Sequence, residues 1–189
     1  RLSTPVSAVR RLPDRVEIES RFGREHFDRV VMATHSDQAL ALLEDASPTE
    51  KEILGAIRYQ PNEAALHTDS SLMPANRRAW ASWNYLLPGR GRGVATLTYW
   101  MNNLQRLDRE TPYLVTLNSS ERIDPNRILR RMHYHHPVFD HRAIQAQRRH
   151  NALNGHNRTH YCGAYWGYGF HEDGVKSGLA VARGFGEEL

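Results

Sequence analysis

The sequence has almost no cysteine and no long apolar run, and each shortage excludes a class of protein. Cys162 is the single cysteine among 189 residues, so an internal disulfide is impossible and the chain is not a disulfide-stapled secreted domain. The longest strongly apolar stretches, 30–33 and 179–182, are far shorter than the roughly 20 residues of a membrane span. The first residues contain no apolar core of a signal peptide. We therefore expect a cytoplasmic protein.

Lysine is also scarce, although the chain is basic. It has 25 basic and 21 acidic residues, and because only Lys51 and Lys176 are lysines, 23 of the basic residues are arginines. Arginine is frequent in phosphate and nucleic-acid sites. However, no run of like charge exceeds two residues, and no recognised nucleic-acid motif accompanies the arginine pairs. The sequence thus predicts no nucleic-acid partner, and the 40% of hydrophobic residues suffice for a packed core.

Strand-like segments and capped helices alternate along the whole chain. Residues 6–33 predict an antiparallel meander that leads into a buried, parallel strand ending at Thr34, because a continuous apolar run suits a strand covered on both faces. Ser47 opens a capping box with proline at the first helical position. Asp140 is expected to cap a helix to about Asn154. Further strands are predicted at 64–68, 80–86, 95–102, 114–117, 129–135 and 159–162, and a glycine-rich turn at 88–93.

The last 33 residues carry the clearest chemical signal. A short strand is followed by a loop rich in glycine and aromatic residues, and then by a helix from about Val175. A helix N-terminus favours negative charge, and glycines permit close approach of a ligand to the backbone. This arrangement suits a flat, electron-accepting ring such as a flavin, although a glycine-rich surface turn packed with aromatics would have the same composition.

The segment from Tyr161-Cys162-Gly163 to Ser177-Gly178 resembles the C-terminal FAD-binding motif of the flavin-containing amine oxidase superfamily. More narrowly, it is similar to a mostly bacterial subfamily described as predicted NAD/FAD-binding proteins. The segments 59–62, 66–69, 81–85 and 136–140 share that similarity, so the resemblance covers nearly the whole chain. It implies FAD as the cofactor and an oxidoreductase that transfers a hydride from a small organic or lipid-like substrate to flavin N5.

The resemblance also implies which residues bind FAD. The backbone of Val6 would reach the adenine, and Ala33 and Thr34 would lie where the buried strand passes the cofactor. Gly163 and Ala164 would approach the ribityl–pyrophosphate region. N–H groups at the start of the last helix would contact the flavin C2=O, and nearby carboxylates would oppose a reduced flavin unless they point away. The implied cofactor-binding set is Val6, Ala33, Thr34, Gly163, Ala164, Tyr165, Trp166, Gly169, Phe170, Asp173, Gly174 and Val175.

Two features of that superfamily are missing from the sequence. The Gly-x-Gly-x-x-Gly fingerprint is absent, and the glycines at 89–93 have the wrong spacing. We therefore expect a C-terminal fragment, inactive alone, whose partner is the missing N-terminal half of its own chain. The stretch 63–69 lacks the lysine that many amine oxidases place near N5. Desaturation or another hydride removal therefore agrees with the sequence as well as amine oxidation does. No catalytic residue is identified, and His67 is the favoured substrate-facing polar group.

These observations predict a mixed fold of α/β and α+β parts. Residues 1–34 and 156–189 are expected to form a partial, discontinuous, Rossmann-like FAD-binding domain, and residues 35–155 an α+β substrate-binding domain with a mixed or antiparallel sheet. The competing hypothesis is a non-catalytic binding module or fold remnant that does not hold FAD. The histidines at 133–136 are interpreted as a polar strand face rather than a metal site. Cys162 is interpreted as a small buried residue rather than a nucleophile.

Overall fold

The computed structural model describes residues 1–87 and 96–187, which divide into two compact units. The terminal unit comprises Arg1–Tyr59 and Pro137–Leu189, and the central unit comprises Gln60–His136. The turn predicted at 88–93 and the first residue of the strand predicted at 95–102 lie outside the described residues. The fold combines helices with sheets, as the sequence predicts.

Strands and α-helices in the described residues follow one another in mixed order. The strands are β1 Val6–Arg11, β2 Val16–Ser20, β3 Gly23–Phe27, β4 Val30–Met32, β5 Tyr59–His67, β6 Trp83–Leu86, β7 Thr96–Trp100, β8 Leu114–Leu117, β9 Ile128–Pro137 and β10 Thr159–Tyr161. The α-helices are α1 Ser36–Leu42, α2 Pro48–Ala56, α3 Met101–Leu104, α4 His141–Gln147 and α5 His171–Gly184.

The terminal unit contains two sheets. Strands β1, β2 and β3 form the antiparallel meander that the sequence predicts. Strands β4 and β10 pair in parallel, with Met32 opposite Tyr161, so the predicted parallel strand is also confirmed. Its predicted burial on both faces and its predicted end at Thr34 are wrong, since β4 ends at Met32 and Val31, Ala33 and Thr34 are exposed. Val30 and Met32 are buried, but Val31 is 44% exposed because its side of β4 borders an open cavity.

The helices that follow β4 and β9 belong to the terminal unit. Ala39 of α1, Leu54 of α2 and Ala143 of α4 share one buried cluster with Val9 and Met32 of the strands. For this reason the unit boundaries lie after 59 and 136, whereas the sequence suggested 34 and 155. The assignment of one part to the cofactor and the other to the substrate stays a prediction.

A buried ion pair ties together three elements of the terminal unit. The guanidinium of Arg11 on β1 donates to both carboxylate oxygens of Glu50 on α2, at 2.7 and 2.9 Å. The Tyr161 hydroxyl on β10 donates to the same carboxylate at 2.6 Å, as does the backbone N–H of Ser47 at 2.7 Å. These donors outweigh desolvation and lower the pKa of Glu50 to about 2. The chain segment that carries β10 is thereby fixed to β1 and α2.

The central unit is a five-stranded sheet in the order β6-β7-β8-β5-β9. The pairs β6–β7, β7–β8 and β8–β5 are antiparallel. The strand predicted to reach residue 102 ends at Trp100, and the chain turns into α3. The side chain of Asn102 explains the turn, since it donates to Thr111 O at 2.9 Å and accepts from Tyr113 N at 2.7 Å, which replaces a strand ladder.

Two helix limits differ from those predicted from the sequence. The helix predicted to reach Asn154 ends at Gln147 and is followed by short 3-10 turns. The last helix begins at His171 rather than at about Val175. The earlier start follows from Asp173, whose carboxylate accepts hydrogen bonds from the N–H groups just before the helix and so acts as its cap.

Candidate functional site

The two predicted cofactor segments of the terminal unit meet at one sheet edge. Ala33 and Thr34 directly follow β4, and Gly163 and Ala164 come just after β10. Because these strands are parallel neighbours, their carboxyl ends lie side by side, and Cys162 N continues the pairing with a hydrogen bond to Met32 O at 3.0 Å. In open α/β sheets, ligands bind at such carboxyl ends. The candidate site is therefore this edge.

Only glycine fits at position 163 in the loop after β10. A Cβ atom at Gly163 would overlap the ring of Tyr165, and that ring is buried and cannot move aside easily. The N–H of Gly163 donates to the hydroxyl of Ser177 on α5 at 2.6 Å. The backbone at Gly163 is thus held close to α5 without a side chain of its own.

Gln147 fixes the same loop from α4. Its side-chain amide donates to Tyr165 O at 2.8 Å and to Gly167 O at 2.6 Å. The sequence reasoning missed Gln147 and Ser177. Nothing in the local pattern marks Gln147, because its partners lie 18 and 20 residues further along the chain.

Asp173 is the residue that closes the loop onto α5. Its carboxylate accepts from Tyr168 N at 3.1 Å and from Phe170 N at 3.0 Å, and it lies tightly against Gly167. Negative charge near a helix N-terminus is favourable. The carboxylate therefore points at the loop amides, which balance the charge that the sequence reasoning expected to oppose a reduced flavin.

Gly174 and Val175 lie in the first turn of α5 and not ahead of it. The N–H of Gly174 donates to Phe170 O at 3.2 Å, so it already has an acceptor. The predicted contact of this N–H group with flavin C2=O does not fit that geometry. A Cβ at Gly174 would meet Ala164 at an ordinary 3.9 Å, so the packing there leaves room for a small side chain. Val175 is exposed. That both residues bind FAD stays a prediction.

The aromatic residues of the loop divide into an inner and an outer pair. Tyr165 is buried and Trp166 stacks on His150 with ring centroids 4.1 Å apart, whereas Tyr168 and Phe170 are exposed. Burial raises the pKa of Tyr165 and lowers that of His150. Neither the Tyr165 hydroxyl nor Trp166 Nε1 has a hydrogen-bond partner within the described residues. Buried donors without acceptors are rare in folded proteins. Both atoms have almost no exposed surface, and the two rings are in contact, with Trp166 opposing the rise that burial causes in the pKa of Tyr165.

An open cavity of about 740 Å³ brings three further predicted residues together. Val6, Ala33 and Thr34 line it, alongside apolar residues of β1, β2, β4 and α1. Its volume and apolar walls fall within the range of small-molecule and cofactor sites. The loop residues Tyr165, Trp166, Gly169, Phe170, Asp173, Gly174 and Val175 are not part of its lining. The predicted set thus forms two groups that approach each other only where β4 and β10 end.

His67 is not a substrate-facing residue in this structure, and that prediction is wrong. Its side chain is completely buried in the central unit, where Nδ1 accepts from Asp69 N at 3.2 Å. Nε2 therefore carries the proton and donates to Thr116 Oγ1 at 2.8 Å. Burial lowers the pKa of His67, so the ring is a neutral, structural group.

The geometry gives little support to Cys162 as a nucleophile or to a metal site among the described residues. Burial raises the pKa of the Cys162 thiol, which disfavours the thiolate that a nucleophile requires, and His160 packs on Phe185 instead. Across residues 1–87 and 96–187, no three His, Cys, Asp or Glu side chains come together as a metal site. In the same residues, no helix combines the length and apolar character needed to cross a bilayer.

Comparison with known proteins finds similarity at the level of structure. No protein-family model matches the sequence, and no curated protein matches it. Among solved structures, a CLA-producing fatty acid isomerase from P. acnes matches 96% of this chain with 47% of its own, at a TM-score of 0.64 and 14% identity. A match to putrescine oxidase covers 96% of this chain and 48% of the oxidase, with a TM-score of 0.58 and 11% identity. A match to cyclohexylamine oxidase from Brevibacterium oxydans IH-35A covers 97% of this chain and 49% of that enzyme, with a TM-score of 0.53 and 15% identity.

The chain shares the fold of part of these enzymes. It spans about half the length of the solved structures that it matches. At such low identities the likeness concerns the fold alone, and it carries no residue-by-residue assignment of a site.

Proposed function

We propose that the chain is the C-terminal part of an FAD-dependent oxidoreductase of the flavin-containing amine oxidase superfamily. One observation carries the proposal: the carboxyl ends of the parallel strands β4 and β10 meet beside a glycine loop held against α5, next to a cavity of about 740 Å³. The fold shared with putrescine oxidase and cyclohexylamine oxidase supports it. The isomerase acting on fatty acids is a reason to include lipid-like substrates.

The residues at this edge fit a dinucleotide of the FAD type. Gly163 would lie beside a phosphate or ribityl group at the end of β10, with its own N–H donating to Ser177 and the Tyr165 ring in the place of a side chain. Val6, Ala33 and Thr34 would contact the adenosine part along the cavity wall. Bound FAD would contribute a flavin ring able to accept a hydride at N5.

We propose further that an N-terminal half of the same polypeptide completes this site in the cytoplasm. The chain corresponds to about half of each matched structure. Among the described strands, β4 pairs on one side only, with β10. Parallel sheets of two strands are not stable alone and are normally covered on both faces. The exposed Val31 and the apolar cavity beside it provide a surface that such a half would cover.

The test is the colour of the complete polypeptide that contains this chain. It should purify yellow, with flavin absorbance, and Gly174→Glu should abolish the colour because a charged side chain would project from the first turn of α5 toward the cofactor. Gly184→Glu is the matched control, since it places the same residue in open space at the other end of α5. That variant should stay yellow.

A colourless complete polypeptide that takes up no added FAD would overturn the proposal. The same result would favour the non-catalytic alternative, for which the occupied N–H of Gly174 is the one specific observation. If the polypeptide is yellow, anaerobic bleaching of the flavin by amines, polyenes and lipids will identify the substrate.

A further inference from the structure

A groove between α2 and α4 has no part in the proposed function. Both helices belong to the terminal unit. The volume of the groove is about 470 Å³, which falls within the range of small-molecule sites. None of the residues that line it belongs to the predicted cofactor-binding set. The groove is therefore a separate candidate site.

The two helices run antiparallel, and an ion pair joins them at each end of their contact. Glu52, near the start of α2, pairs with Arg149, which lies just after α4. Arg58, which lies just after α2, pairs at 2.8 Å with Asp140, the cap of α4. The groove runs between these two ends. Since a helix rises about 1.5 Å per residue, its length from residue 142 to residue 149 is roughly 10 Å.

The floor of the groove is apolar. Ile53 and Ala146, which are both buried, line it together with the half-buried Ala56. Gly55 also lines it, and a Cβ atom there would meet only Leu40 within 4 Å, at an ordinary 3.8 Å. The absence of a side chain at this position therefore leaves the groove open. The apolar body of a ligand would cover these residues and remove their remaining surface from water.

Each end of the groove has an exposed cation that no ion pair uses. Lys51 lies next to Glu52 at one end, and Arg142 lies two residues after Asp140 at the other. Neither cation forms an ion pair within the part of the chain that the structure describes. Glu52 is the only carboxylate in the described lining, and Arg149 already neutralises it. An anionic group would thus find a free positive charge at either end.

We propose that this groove binds a small organic dicarboxylate with an apolar body. The carboxylates pair with Lys51 and Arg142, and the apolar body covers Ile53, Ala56 and Ala146. A carboxylate suits each end because its single charge matches the single free cation there, whereas a phosphate monoester carries a charge of about two. The assignment is independent of the proposed function, since it uses no residue of the cofactor-binding set.

Three ligands with the same ring system test the assignment directly. They are biphenyl-4,4′-dicarboxylate, biphenyl-4-carboxylate and the uncharged biphenyl-4,4′-dimethanol. Titration calorimetry of this chain should show the tightest binding for the dicarboxylate and binding about fivefold weaker for the monocarboxylate, because one exposed ion pair is lost. The uncharged compound should bind most weakly. Equal affinities for the dicarboxylate and the uncharged compound would overturn the proposal, as would tighter binding of the acidic peptide hexaglutamate, which would indicate a protein partner.

Charge variants locate the carboxylates. Lys51→Gln and Arg142→Gln should each weaken the dicarboxylate about fivefold and leave the uncharged compound unchanged. Arg148→Gln is the matched control, because Arg148 is an exposed arginine at the end of α4 that does not line the groove. An equal loss in the control would mean that the positive charge of the whole chain attracts the ligand, and the assignment would be wrong.

A second pair of variants tests the floor of the groove. Gly55→Leu adds an apolar side chain at the groove and should weaken all three ligands. Gly178→Leu is its control, since Gly178 lies in the middle of α5 and a Cβ there would meet nothing within 4 Å. Both changes replace a helical glycine with a better helix former, so neither variant should melt below the wild type. Equally tight binding of the dicarboxylate by the two variants would overturn the proposal.

Discussion

Replacing Glu50 with glutamine should cost the terminal unit about 3 kcal/mol of unfolding free energy. Glutamine keeps the shape of the side chain but removes one of the two carboxylates that pair with Arg11, whose side chain is almost fully buried; Asp45 remains at 2.8 Å from its Nε. The pKa of Glu50 is lowered from 4.5 to about 2, and each pKa unit corresponds to about 1.4 kcal/mol in favour of the ionised form. This loss lies at the lower end of the roughly 3–5 kcal/mol lost when one partner of a buried ion pair is removed, because Asp45 still balances part of the charge of Arg11.

Urea denaturation of the chain, followed by far-ultraviolet circular dichroism, measures this loss. Glu52→Gln is the matched control, because Glu52 lies on the same helix and pairs with Arg149, but its side chain is 64% exposed. Exposed pairs contribute about 0–1 kcal/mol, so this variant should unfold near the wild-type midpoint. Equal losses in the two variants would refute the reasoning, because burial of the pair would then make no difference.

Two further predictions concern pH and the glycine loop. The folded chain holds the pKa of Glu50 below its unfolded value, so the stability that it contributes is complete above about pH 4.5 and falls as the pH drops toward 2. Glu50→Gln should flatten that part of the stability profile, and an unchanged slope would contradict the assignment. Gly163→Ala should destabilise the chain by about 1–3 kcal/mol, because its Cβ overlaps the Tyr165 ring. Gly184→Ala, in open space on α5, should cost nothing in the same denaturation assay, and a similar loss there would count against the steric explanation.

Local sequence patterns predicted the parts of the fold that depend on near neighbours. The capping box at Ser47 forms as expected, with Glu50 N donating to Ser47 Oγ at 3.2 Å and the Glu50 carboxylate accepting from Ser47 N. The same carboxylate also accepts from Arg11, which lies 39 residues earlier in the chain. No pattern within a helix indicates that second role, so the sequence revealed the cap but not the buried ion pair.

Partners distant in the sequence also explain why the compact units divide at residues other than those that the sequence suggested. Ala39, Leu40 and Leu42 make one side of α1 apolar, but no local pattern indicates the surface against which that side packs. Ala39 lies in the same buried cluster as Val9 of β1 and Ile53 of α2, which keeps the helix in the terminal unit. The burial of His67 has a similar origin, since its partner Thr116 lies 49 residues away on a neighbouring strand.

The candidate site shows how much a sequence motif can predict about where functional groups lie. The resemblance located the loop after β10, and the structure brings its first residue, Gly163, to the edge where Ala33 and Thr34 also lie. It could not indicate that α5 starts at His171, which leaves the N–H of Gly174 bonded within the helix. A flavin at this edge would therefore depend less on Gly174 as a donor than on the residues where β4 and β10 end, Ala33, Thr34 and Ala164.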